Sequence, residues 1–123
     1  MEKIKDFKDL KVWQKSHELA LEIYKTTVKF PPEEKFGLVS QMRRASVSIA
    51  ANIAEGFAKR GKKDKMNFYN ISQGSLQELK YYLILTKDLN YTENLENCWK
   101  FADEIGKMLN GLITSVGQTP PNP

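Results

Sequence analysis

The sequence predicts an all-α fold, an antiparallel up-down-up-down four-helix bundle. Three observations predict it. Four long segments repeat apolar residues at three- and four-residue intervals, short proline- or glycine-bearing stretches separate them, and strand-like alternation is weak throughout. At 123 residues the chain suits one domain, and its 41% hydrophobic and 28% charged composition is that of a globular chain. We place this domain over residues 1–117, with a short N-terminal lead-in, and expect a flexible tail at 118–123.

The lead-in, Met1 to Lys8, carries mixed charge around Ile4 and Phe7. Asp9 is a cap or first-turn acid for a first helix running to about Lys29. Its stripe is Leu10, Trp13, His17, Ala20, Tyr24 and Val28, widened by Val12, Leu19 and Ile23. Phe30-Pro31-Pro32 stops the helix, because neither proline can donate the interior hydrogen bond. The second helix begins either at Pro32, with Glu33 and Glu34 at its positive end, or nearer Phe36 after a short turn. It runs to about Phe57 and buries Leu38, Met42, Ala45, Ile49, Ile53 and Phe57. Gly56 and Gly61 bracket its end.

A third helix is expected from between Lys62 and Asp64 to about Leu89. Phe68, Ile71, Ser75, Leu79, Tyr82 and Leu85 share one face; Tyr69, Leu76, Leu83 and Ile84 share another, with Tyr69 suited to half-burial. Asn90-Tyr91-Thr92 is the next turn, with Thr92 as a cap. The fourth helix carries Leu95, Trp99, Ala102, Ile105, Leu109, Leu112 or Ile113, and Val116, and ends near Gly117. These helices hold more aromatic surface than one narrow interior takes, so self-association is expected.

The formal charge of +4 and pI near 9.1 are compatible with nucleic acid and do not require it. The sole cysteine, Cys98, excludes an intramolecular disulfide or a four-cysteine metal site and reads as a partly buried thiol. No leader pattern or membrane-length apolar run is present, so the expected compartment is the cytoplasm, with no membrane partner.

The functional candidate is the basic run Lys59, Arg60, Lys62, Lys63 and Lys65, opposed only by Asp64. Such a cluster neutralises phosphates without reading bases; its bland alternative is a solvated helix junction. Arg43 and Arg44 lie about 100° apart on the helix. Structural pairing and nucleic-acid contact are both open for them. Asn52 and Glu55 interrupt an apolar surface and are read as structural, with a basic residue, Lys59 among the candidates, expected to compensate Glu55. Gly74 and Ser75 are read as helix-packing positions. The lone His17 has no triad partners, and neither a glycosidase pair nor a di-metal motif is assembled, so no catalytic residue, metal ligand or cofactor is assigned.

Gln41-Met42-Arg43-Arg44-Ala45, Ser48-Ile49, Asn52-Ile53-Ala54-Glu55-Gly56, Phe68 and Gly74-Ser75-Leu76-Gln77-Glu78-Leu79 together resemble the bundle proteins associated with intervening sequences in bacterial 23S ribosomal RNA genes. Phe7, Leu10 and Val12-Trp13 resemble the opening motif of that family. The resemblance spans nearly the whole chain through the fourth helix. It implies a ring-shaped homopentamer of antiparallel four-helix bundles, the S23-like proteins. A related group resembles the accessory protein of diversity-generating retroelements, a basic pentamer that works with reverse transcriptase and RNA. Ala50-Ala51 replaces the commoner proline-small pair, and Lys80 stands where an acid is frequent, which argues against carrying over charge-dependent function. The preferred expectation is a noncatalytic oligomer binding RNA or another nucleic acid through basic surfaces; its alternative is an adaptor with a protein partner and no nucleic-acid contact.

Overall fold

The computed structural model describes residues 4–118. A 3-10 turn, Phe7–Asp9, precedes four helices: α1 (Lys11–Thr27), α2 (Leu38–Ala58), α3 (Lys62–Asp88) and α4 (Glu96–Gln118). No strand is present among the described residues. Each helix packs on two neighbours in the cycle α1–α2–α3–α4–α1. Residue pairs across the seams run in opposite directions. Lys65 reaches Gly56 while Thr86 reaches Met42 between α2 and α3; Thr26 meets Cys98 while Lys15 meets Glu104 between α1 and α4. The bundle is therefore antiparallel.

The breaks fall where the chemistry of the chain puts them. After Phe30-Pro31, a second 3-10 turn at Pro32–Glu34 absorbs the acids, and α2 starts only at Leu38. Glu34 Oε1 accepts from the Leu38 amide at 3.2 Å, satisfying one of the orphan donors of α2. Its Oε2 accepts from the Tyr91 hydroxyl at 2.6 Å, tying the α1–α2 and α3–α4 connections together. That hydroxyl, followed by the Leu38 amide, holds the Glu34 carboxyl below its usual range. Asp6, rather than Asp9, accepts an amide hydrogen bond at the chain start, from Lys8 at 2.9 Å. Thr92 receives the Asn94 amide, so it shapes the turn and does not cap α4, which starts four residues later. Gln118 closes α4, and residues 119–123 of the expected tail lie outside the described residues.

The core follows the expected stripe on α2, with Leu38, Met42, Ala45, Ile49 and Ile53 buried and Phe57 half-buried. α1 is rotated from expectation, and of the two faces named on α3 the one bearing Tyr69, Leu76 and Leu83 is buried. On α1 the buried set is Val12, Ser16, Leu19, Ala20, Ile23 and Thr27, while His17, Tyr24 and Val28 are exposed. On α3 it is Tyr69, Ser72, Leu76, Leu79, Leu83 and Thr86, with Ile71 and Ile84 left 43% and 49% exposed. Hydroxyls explain the shift. Ser16, Thr27 and Thr86 donate to the carbonyls of Val12, Ile23 and Tyr82 one turn back, at 2.7, 2.7 and 2.8 Å. Ser72 donates across the seam to the Ile49 carbonyl. Once bonded, these small side chains enter the core without an unsatisfied donor.

Tyr69 is 2% exposed, not half-buried. Its position comes from Gly56, where an added Cβ would stand 2.6 Å from the Tyr69 ring. Gly74, by contrast, faces open space, and a Cβ there would meet nothing within 4 Å. It does not serve close packing. Gly74→Ala should therefore stabilise the fold by about 0.5–1 kcal/mol, through helix propensity alone. A thermal melt checks this, and a lowered midpoint would refute it.

Cys98 is fully buried, with its sulfur 3.8 Å from the Thr26 hydroxyl. Burial, chiefly, raises the thiol above its ordinary value of 9.0, and burial also raises Tyr69 above 10.0. Both groups keep their protons in the folded chain at pH values where the unfolded chain loses them. Stability should thus hold below pH 9 and decline as pH rises through 9 and 10, by at most about 1.4 kcal/mol per pH unit for each group. Lys65, lowered by burial, adds an opposite slope below 10.5. Urea unfolding at pH 8 and pH 10 measures the balance. Cys98→Ala should remove the part that begins near pH 9.

Candidate nucleic-acid interface

Only three residues, Lys59–Gly61, connect α2 to α3. Lys59 and Gly61 are extended, and the Lys59 amide donates to the Gly56 carbonyl at 3.2 Å, which closes α2 and turns the chain sharply. Lys59, Arg60, Lys62 and Lys63 are all exposed on this corner. The Lys59 ammonium stands 5.2 Å above the Phe68 ring, a contact that fixes its stem while leaving the charge at the surface. Gly61 offers no side-chain cap, so the first amides of α3 add their positive dipole end to the same corner. α1 also begins at this end, where Lys5, Lys8 and Lys11 are exposed and Lys8 pairs with Asp6 at 3.6 Å.

Lys65 has a different place. Its ammonium donates to the carbonyls of Gly56 and Phe57 at 3.2 and 2.9 Å and sits 5.6 Å over the Phe57 ring. It closes the C-terminus of α2, and burial lowers its affinity for a proton. Arg43 does the same for α1: its guanidinium donates to the Thr27 hydroxyl at 3.0 Å and the Tyr24 carbonyl at 3.3 Å, and lies 4.6 Å over the Tyr24 ring. In both hairpins a cation from the following helix satisfies the end of the preceding one. Sequence reasoning placed Lys65 with the surface charges and left Arg43 open between pairing and nucleic-acid contact; their position opposite a helix end reveals the pairing role of both.

Arg44 is exposed, but at 1.5 Å of rise per residue it stands about 22 Å along α2 from Lys59, so the structure does not bring it to the corner. Asn52 is bonded within α2, donating to the Ser48 carbonyl at 2.8 Å and hydroxyl at 3.0 Å. The Ser48 and Ser75 hydroxyls meet at 2.8 Å across the α2–α3 seam. Glu55 is exposed and forms no ion pair among the described residues, so the compensating cation expected for it is not present. Among those residues no group of three or more His, Cys, Asp or Glu could hold a metal ion, and no helix is long and apolar enough to cross a membrane.

The family model described as the 23S rRNA-intervening sequence protein matches residues 8–111, from the 3-10 turn into the last turns of α4. The chain belongs to this family. Members of the 23S rRNA-intervening sequence protein family thus share the span that includes the whole α2–α3 corner. A solved structure of similar fold is a protein with unknown function from the S23 ribosomal protein family of Bacteroides thetaiotaomicron VPI-5482. It is 27% identical with a TM-score of 0.75, over 84% of this chain and 95% of that one. No curated protein matches the chain.

Proposed function

We propose that this 23S rRNA-intervening sequence protein is a noncatalytic, self-associating, cytoplasmic bundle that holds RNA by its phosphates at the α2–α3 corner. The observation that supports the reading is the exposure of Lys59 and Arg60 on a three-residue turn and of Lys62 and Lys63 at the uncapped start of α3 that follows it. Lysine and arginine at such a corner neutralise phosphate without selecting a base. Self-association rests on the outer stripe of α3, where Ile71 and Leu89 are exposed and Tyr82 and Leu85 half-buried at helical spacing. The family resemblance carries the stoichiometry, a homopentamer. Five copies would repeat the corner and raise avidity without new contacts.

The test is the binding of single-stranded RNA across a salt series. About four phosphates per protomer give a log–log slope near −3 for one engaged corner. Salt-independent or absent binding rejects the RNA assignment. Light scattering at micromolar concentration should give a pentameric mass, and a monomer alone rejects self-association. A second reading, a protein adaptor, is favoured by Phe36 and Val28, which are 88% and 71% exposed at the opposite end of the bundle. In that case Phe36→Ser would abolish partner capture, and RNA would not bind.

A further inference from the structure

One aromatic array takes no part in the interface described above. On α1, Trp13 and His17 are one turn apart and their rings stack with centroids 5.2 Å apart and planes 6° from parallel. Phe7, from the 3-10 turn, meets Trp13 edge to face at 5.0 Å. Phe7 and Trp13 are half-buried, whereas His17 is exposed and makes no hydrogen bond among the described residues. Trp13 packs on the core; His17 rests on Trp13. One face of the imidazole is therefore covered and the other is open.

The array lies on the half of the bundle that carries the basic corner. Tyr24 lies eleven residues from Trp13, three turns along the same side of α1, and it touches Arg43 of α2. Trp13 thus lies on the α2 flank of α1. Since the helices are antiparallel, Trp13 stands level with about residue 54 of α2, and His17 with about residue 50, which is about 13 Å along the axis from Lys59. The 3-10 turn bearing Phe7 packs against α2 at that end. Gln14 donates to the Lys8 carbonyl at 2.8 Å, which fastens the turn to α1, and the Lys8 ammonium pairs with Asp6 at 3.6 Å. An exposed aromatic face on the same half of a bundle as a phosphate-binding corner is an arrangement that takes an unstacked base of a single strand.

We propose that His17, backed by Trp13 and Phe7, is a stacking seat for one unpaired nucleobase of an RNA strand whose phosphates lie on the α2–α3 corner. The proposal rests on the RNA reading above. It adds a preference for single strands with bases over a bare phosphate chain, since a π face is indifferent to base identity but requires a base.

The test compares a short oligoadenylate RNA with an abasic oligonucleotide of equal length. Trp99→Phe leaves Trp13 as the sole indole. In that background oligoadenylate should quench the emission, and the abasic strand should leave it unchanged. His17→Ala should weaken oligoadenylate binding about fivefold or more, leave the abasic affinity and the melting temperature unchanged, and be rescued by His17→Phe. Equal wild-type affinity for the two strands, or His17→Ala binding like the parent, overturns the stacking seat while leaving the corner standing. Binding of neither strand overturns both.

Discussion

Gly56→Val should unfold roughly 10–15 °C below the parent chain, a loss of about 3 kcal/mol. At this position a Cβ would stand 2.6 and 2.9 Å from two carbons of the Tyr69 ring and 3.2 Å from Phe68 Cβ. The ring has nowhere to go, because Tyr69 is enclosed in the core. The Gly56 backbone is in the ordinary helical region, so the cost is crowding, partly offset by the better helix propensity of a side chain. Gly56→Ala should shift the midpoint in the same direction by a smaller amount. Tyr69→Leu removes the colliding ring edge, and the double variant should lose less than the two single losses combined. A midpoint equal to that of the parent for both Gly56 variants would end this account of the α2–α3 contact.

Replacing Lys59, Arg60, Lys62 and Lys63 together by glutamine should nearly abolish the salt dependence of RNA binding. The parent should lose roughly 50-fold in affinity between 50 and 200 mM salt if each corner engages four phosphates. The variant should be almost flat and at least about tenfold weaker at the low end. Net charge alone could produce part of that effect. The control therefore neutralises four exposed lysines at the far end of the bundle, Lys25, Lys29, Lys35 and Lys87, to reach the same formal charge. Position is decisive if only the corner variant loses the slope. Equal losses would mean that the protein attracts RNA by its overall field and has no corner site.

The helix limits were legible because they depend on local chemistry. Two prolines, a glycine-bearing basic turn and Asn90 end or separate helices whatever the partner, and Asn90 indeed takes the one positive φ among the non-glycine residues described. Helix rotation was not legible for α1 and α3, since each carries two apolar stripes and hydropathy counts Ser16, Thr27, Ser72 and Thr86 as polar. A hydroxyl that finds a carbonyl one turn back is no longer polar to its neighbours, and periodicity cannot register this. The α2 stripe was clear because its outward positions, Gln41, Arg44, Ala51, Glu55 and Ala58 among them, are mostly polar or small. At the candidate site, the basic run was visible as composition, but its division was not. Lys59 to Lys63 face solvent while Lys65 folds over a helix end, a distinction set by where α2 stops relative to the first turn of α3.

The sealed position of Cys98 makes the protein report on its own breathing. It is the sole thiol, enclosed on α4 beside Thr26 of α1. A thiol reagent reaches it only when that seam opens, so the labelling rate under native conditions divided by the rate for the unfolded chain gives the opening constant directly. If labelling slows in step with added stabilising substitutions such as Gly74→Ala, α4 separates only when the whole bundle unfolds. If it does not, the α1–α4 seam opens as a unit of its own, independently of the α2–α3 hairpin that carries the basic corner.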